Sequence, residues 1–270
     1  MKQKIINVLL VYSFATMLTN CLNVSVSANG SSEGKTIVGN GIIKEKEIGK
    51  LDFTGIDSRG SIDVIISSSS NVPVKVSGDE NLIDYVNVSV VKGILTLRNK
   101  EGVSYSTKHG LKVTVPNNGK IKNILISGSS DLLAESTLTG EEFFVTCKGS
   151  SDFKGDINTQ KCELNMSGSS DFIGNIEAKH VDINCSGSSD CKITGFAGDC
   201  KISMTGSSDF KGYGFTALKA DCRASGSSDI QITCNEEISV NASGSSDVYY
   251  RGNAKVINKS LSGSSDLYNR

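Results

Sequence analysis

Residues 162–172 read Cys162-Glu163-Leu164-Asn165-Met166-Ser167-Gly168-Ser169-Ser170-Asp171-Phe172, and the fold is decided by this stretch. Cys162, Leu164 and Met166 alternate with Glu163, Asn165 and Ser167, the period-two pattern of a strand with one buried face. A Gly-Ser-Ser-Asp turn signal follows, and Phe172 resumes the apolar series. Nineteen residues later Val181, Ile183 and Cys185 lead into Gly187-Ser188-Ser189-Asp190 and then Cys191, the same grammar again.

Working outward, the tetrapeptide begins at Gly128, Gly149, Gly168, Gly187, Gly206, Gly226, Gly244 and Gly263, at intervals of 21, 19, 19, 19, 20, 18 and 19 residues. With each Gly as position zero, positions −6, −4 and −2 are apolar in the regular copies, and +4 is apolar in all eight: Leu132, Phe153, Phe172, Cys191, Phe210, Ile230, Val248 and Leu267. Such a repeat is a strand, a corner, a second short strand and a variable return. It leaves too little room for a crossover helix, which takes about ten or more residues. Neither strand can bury its face alone, so the repeats are expected to stack strand over like strand as a parallel β-solenoid. At about 4.8 Å per rung, eight rungs make a stack roughly 38 Å long. Gly permits the backbone angles of the corner, while Ser and Asp cap nearby N–H groups. By parity the Gly, the second Ser and position +4 face inward, and the first Ser and the Asp face outward.

Upstream, residues 51–127 lack the tetrapeptide but keep strand-like runs, among them Ile62-Asp63-Val64-Ile65-Ile66, Ile94-Leu95-Thr96-Leu97 and Leu111-Lys112-Val113-Thr114-Val115. They are expected to form irregular early rungs or a β cap, with Gly60-Ser61-Ile62-Asp63 as a degenerate corner. The segment 29–50 is expected to be a lead-in, and 128–270 the regular solenoid. Lys2 and Lys4 precede an apolar run from Ile5 to Leu18, shorter than the roughly 20 residues of a membrane span, which marks 1–28 as a signal peptide. Cleavage after Ala28 (Val26-Ser27-Ala28) competes with a lipoprotein exit at Cys21. Either route exports the chain to the periplasm, outer membrane or cell surface, and membrane attachment is expected only if Cys21 is lipidated.

The chain has 270 residues, with 28 Lys plus Arg against 29 Asp plus Glu, a balance that excludes a typical nucleic-acid binder. Only 2 Pro and no Trp occur beside 28 Gly, and a hydrophobic share of 37% is enough for a core. Seven cysteines lie beyond Ala28: Cys147, Cys162, Cys185, Cys191, Cys200, Cys222 and Cys234. All fall on inward positions, no two share a file in adjacent repeats, and no C-x-x-C pair exists. They read as core hydrophobes.

The series Phe53-Thr54-Gly55-Ile56, Leu95-Thr96-Leu97, Val113-Thr114-Val115-Pro116, the serial Ser-Gly-Ser-x-Asp corners and Tyr250-x-Gly252 resembles the head GIN domain family of putative auto-transporter adhesins. The resemblance covers about residues 51–270. It implies a right-handed parallel β-helix and an adhesive or surface-binding role, with no catalytic residues to carry over. Four residues follow the last corner, so no C-terminal membrane barrel and no self-translocation are expected.

Chemistry is sparse. The corner aspartates form a file of eight equivalents, whereas an active site needs one distinctive constellation. Asp171, Asp190 and Asp209 are the calcium candidates, though their spacing is not that of known Ca²⁺ solenoids. His109 and His180 occur in unrelated contexts as surface residues, and no phosphate loop or H-E-x-x-H pattern exists. Tyr249, Tyr250 and Tyr268 near the C-terminus are candidates to stack on a sugar or a partner, with Tyr249 and Tyr250 leading and Tyr250 alternatively core filler. No catalytic residue and no cofactor is assigned. The chain reads as an exported, non-catalytic solenoid for adhesion, binding or scaffolding at the cell envelope, with a glycan or protein as surface ligand. The alternatives are a polysaccharide-processing β-helix enzyme or a carbohydrate-binding module. The last repeat leaves an open strand edge, for which end-to-end self-association or cover by the N-terminal segment is expected.

Overall fold

The computed structural model describes residues 35–270. They form strands throughout, with a single short 3-10 turn at Ile83–Tyr85 and no α-helix. Successive copies of the repeat pair in parallel and in register. Lys161–Gly168 pairs with the end of Phe172–Gly187, so that Cys162 lies against Val181, Leu164 against Ile183, Met166 against Cys185 and Gly168 against Gly187. The same registration continues into Cys191–Gly206, Phe210–Gly226 and Ile230–Gly244. Stacking therefore turns the positions around the corner into files running through the molecule, while the variable returns of the later rungs absorb register shifts. The files at −6, −4, −2 and +4 are the core, with Leu164, Ile183, Ile202 and Val240 wholly shielded from solvent. Phe153 and Phe172, adjacent in the +4 file, stack at 5.1 Å between ring centroids and 8° between planes.

The corner keeps the expected parity at its serines but not at its glycines: all eight corner glycines, expected to face inward, are exposed, because the positive-φ backbone breaks the strand alternation there. Every second Ser of the tetrapeptide, from Ser130 to Ser265, is buried, and every first Ser is exposed. The corner glycines all have positive φ, from +75° at Gly263 to +97° at Gly128. Each also rests on the glycine of the rung below: a Cβ on Gly168 would lie 2.4 Å from the carbonyl oxygen of Gly149. Glycine is required here both by conformation and by the closeness of the next rung.

The early half is both a set of rungs and a cap, but its rungs do not stack in chain order. Gly55–Gly60 and Ile62–Ser67 form a turn whose register with the first regular copy sets Gly60 against Gly128 and Val64 against Leu132. Gly60-Ser61-Ile62-Asp63 is thus a degenerate corner, with Ile62 in the place of the inward Ser. The other face of this turn is covered by Ile94–Asn99 and Leu111–Pro116, which come later in the chain. Antiparallel strands then close the end. Val74–Asp79 lies between Leu111–Pro116 and Ile43–Gly49, and Val86–Val91 folds back on Ile94–Asn99. Within the expected lead-in, Lys35–Val38 and Ile43–Gly49 are strands rather than a loose connection. The charged run Lys44-Glu45-Lys46-Glu47 has no apolar alternation; its order comes from backbone pairing with Val74–Asp79. The signal region 1–28, with Cys21 and Ala28, lies outside the described residues.

At the opposite end, Lys255–Leu261 and Leu267–Asn269 pair on one side only, with Ile230–Gly244 and Val248–Arg251. Among the described residues nothing covers their outer edge. Ile257 is 56% exposed there, and Lys255 and Lys259 place charges along the open edge, a common device against uncontrolled strand addition.

Candidate functional site

The outward side of the corner carries the aspartate file, and stacking gives each carboxylate a defined partner. Asp131 Oδ1 accepts the backbone N–H of Asp152 at 3.1 Å, Asp152 that of Asp171 at 2.9 Å, and Asp171 that of Asp190 at 3.0 Å. The chain of bonds continues through Asp190, Asp209, Asp229 and Asp247 to Asp266, and begins at Asp63. One oxygen of each carboxylate thus ties its rung to the next. Charges about 4.8 Å apart repel by about 0.9 kcal/mol in water and about 3.5 kcal/mol at an effective dielectric of 20. Partial exposure and nearby lysines keep the file near the lower figure; Lys211 Nζ sits between Asp190 and Asp209. Burial nevertheless pushes the Asp229 and Asp63 carboxyls above their ordinary range, against the lowering effect of the amides they accept.

This geometry does not suit calcium at Asp171, Asp190 and Asp209. Calcium takes about 6–8 oxygens that converge at about 2.3–2.6 Å, whereas here one oxygen of each of Asp171, Asp190 and Asp209 accepts the amide of the next rung, and Lys211 Nζ sits against the other oxygens of Asp190 and Asp209. No group of three His, Cys, Asp or Glu side chains is arranged to hold a metal among the described residues.

Elsewhere the outward charges pair with each other. The file at the start of the long strand runs Glu142, Lys161, His180, Asp199, Lys219, Glu237, Lys255 in register. His180 Nδ1 lies 3.2 Å from Asp199 Oδ2, and Lys219 Nζ lies 3.1 Å from Glu237 Oε2. The shallow groove along this file is consequently close to neutral. His109 stands apart at the capped end, near Asp79.

The repeating surface is interrupted near the open end. Tyr249 and Tyr268 occupy the outward +5 position of consecutive copies, and their rings stack at 5.0 Å and 11°. The Tyr249 hydroxyl donates to Asp247 Oδ2 at 2.9 Å and the Tyr268 hydroxyl to Asp266 Oδ2 at 3.1 Å. Hydrogen bonding to a carboxylate pushes the Tyr249 phenol up to about 12, so the ring stays neutral. The Arg270 guanidinium sits 5.0 Å from the Tyr249 centroid and 5.6 Å from that of Tyr268, and Arg251 covers Tyr213 at 4.0 Å. Tyr250, the second stacking candidate, points the other way: it is 7% exposed and fills the core at +6, where Gly155, Gly174 and Gly212 stand in other copies. Its inward parity removes it from the outer face. The arginines carried no motif in the sequence; the shared +5 offset of Tyr249 and Tyr268 was the available signal.

Solved structures share this architecture. A putative adhesin from Parabacteroides merdae superposes with a TM-score of 0.77 at 24% identity, covering 87% of this chain and 99% of that one. A putative adhesin from Parabacteroides distasonis gives 0.78 at 25% identity, covering 87% and 100%. A putative lipid binding protein from the same species gives 0.78 at 23% identity over the same shares. The comparison with curated proteins gives no match. The family model for the putative auto-transporter adhesin, head GIN domain, matches residues 52–172 and 152–254, most of the chain, and the chain belongs to that family.

Proposed function

We propose that this chain is an exported, non-catalytic adhesion module of the cell envelope that holds a glycan on the platform made by Tyr249, Tyr268 and Arg270. Family membership supports an adhesion-type binding protein and an exported or cell-surface setting. The observation that carries the glycan reading is the stacked, outward Tyr249–Tyr268 pair, held by hydroxyl bonds to Asp247 and Asp266 and flanked by the Arg270 guanidinium. Flat aromatic faces suit the apolar C–H faces of a sugar ring, and the adjacent guanidinium suits its hydroxyls or a carboxylate. The eight-fold repetition of the corner aspartates speaks against a single acid–base pair and so against polysaccharide cleavage.

Binding to an array of bacterial and host glycans tests this. The wild type is expected to bind a subset, with at least tenfold loss on Tyr249→Ala or Tyr268→Ala and no loss on Asp171→Asn. Equal binding by wild type and both tyrosine variants would overturn the assignment of the platform. Release of sugar products by the wild type would favour the polysaccharide-processing alternative instead.

A further inference from the structure

Positions −2 and +4 flank each corner, and in the regular copies both point into the core. The regular copies combine Ile126 with Leu132, Cys147 with Phe153, Met166 with Phe172 and Met204 with Phe210. The corner at Gly187 differs in placing cysteine at both positions. Cys185 and Cys191, both buried, bring their sulfurs to 2.9 Å, about 0.9 Å longer than an S–S bond. We infer that Cys185 and Cys191 form a disulfide that staples the corner Gly187-Ser188-Ser189-Asp190 from within.

The stack isolates this pair from the other cysteines. In its file Cys185 has Met166 on one side and Met204 on the other. Cys191 lies between Phe172 and Phe210. Cys162 and Cys200 are separated by Val181 in their own file. Intramolecular exchange with a third cysteine would therefore need the rungs to part. In the folded chain both sulfurs are buried away from any oxidant in solution, and the hydrogen bond with Cys185, together with burial, holds the Cys191 thiol well above the ordinary range, while the thiolate is the reactive form. Oxidation thus belongs to folding, before the corner closes. With oxidised glutathione, one cysteine thiolate displaces a glutathione thiolate to give a mixed disulfide. The second cysteine then attacks that sulfur and releases the other glutathione. Two S–H bonds are lost, one S–S bond forms, and the two electrons and two protons leave on two glutathione thiols. This inference does not depend on the glycan reading.

Peptide mapping of the purified full chain decides the matter. Refold it with oxidised glutathione, denature it without reductant, treat with iodoacetamide, then digest with trypsin. Cys185 and Cys191 fall in one peptide, His180–Lys192. That peptide is expected unalkylated and lighter by two hydrogen atoms than its dithiol form, with the remaining cysteines alkylated. Reductant should lower the thermal midpoint of the wild type by about 4–8 °C and leave that of the Cys185→Ala/Cys191→Ala chain unmoved. Recovery of the peptide alkylated at both positions, or joined through either residue to another cysteine, would overturn the inference.

Discussion

A methyl group on Gly187 would lie 2.5 Å from the carbonyl oxygen of Gly168, and the φ of +83° at Gly187 is itself strained for an L residue. Gly187→Ala is therefore expected to cost about 3–5 kcal/mol in denaturant unfolding. Ser188→Ala, on the exposed first Ser, should stay within about 0.5 kcal/mol. The buried second serines form their own ladder, in which Ser170 Oγ accepts the N–H of Ser151 and donates to the Ser167 carbonyl at 3.1 Å. Ser170→Ala leaves that buried amide unpaired and is expected to cost about 1–3 kcal/mol. The Ser151 hydroxyl has no partner among the described residues, so Ser151→Ala should be near neutral; equal losses from the two variants would contradict the ladder. Which serine points inward was legible from parity alone. That neighbouring rungs bond through it was not, because the contact joins residues about nineteen apart.

At the scale of elements, the cap depends on Asp79. Its carboxylate accepts the N–H of Gly41 at 2.6 Å and the hydroxyl of Thr107, joining three separate cap segments. The Thr107 bond, aided by the Gly41 amide, holds its pKa below the ordinary carboxylate value of 3.8. A lowered folded-state pKa means that the unfolded chain binds the proton first. The stabilisation is present above the unfolded value and is lost as pH falls through the folded one. Asp229, with a raised value, has the opposite sign, since its proton is bound more readily in the folded state and acid favours that rung. Hydrogen exchange between pH 6 and 3 is thus expected to show Val74–Asp79 and Ile43–Gly49 losing protection before Phe210–Gly226. Asp79→Asn should weaken the cap at pH 6 and flatten its pH dependence. Loss of protection in the middle rungs first would refute the assignment. The order of these elements was hidden in the sequence: strand-like runs were visible, but nothing local says that the turn at 55–67 lies between those at 94–116 and 123–134.

On the scale of the whole molecule, each rung touches only its neighbours, so stability is close to a sum of rung and interface terms. One end has antiparallel strands over it, while at the other Lys255–Leu261 has a single neighbour among the described residues. Native-state exchange should therefore be fastest among strand amides in that last rung and slowest around Ile183 and Ile202. Equal protection of the two regions in dilute solution would show that the open edge is covered, as end-to-end pairing of two chains would do.

The sequence by itself determined the repeat, its inward and outward side chains, the glycine corners and the family. These follow from local alternation and turn chemistry, copied often enough to rise above noise. The tertiary structure alone decided the crossed order of the early rungs, the aspartate and serine ladders, the Tyr249–Tyr268–Arg270 platform and the meeting of Cys185 with Cys191. Those depend on distances across rungs and across a corner, which exist only once the chain is stacked and the backbone hydrogen bonds have set each file in register.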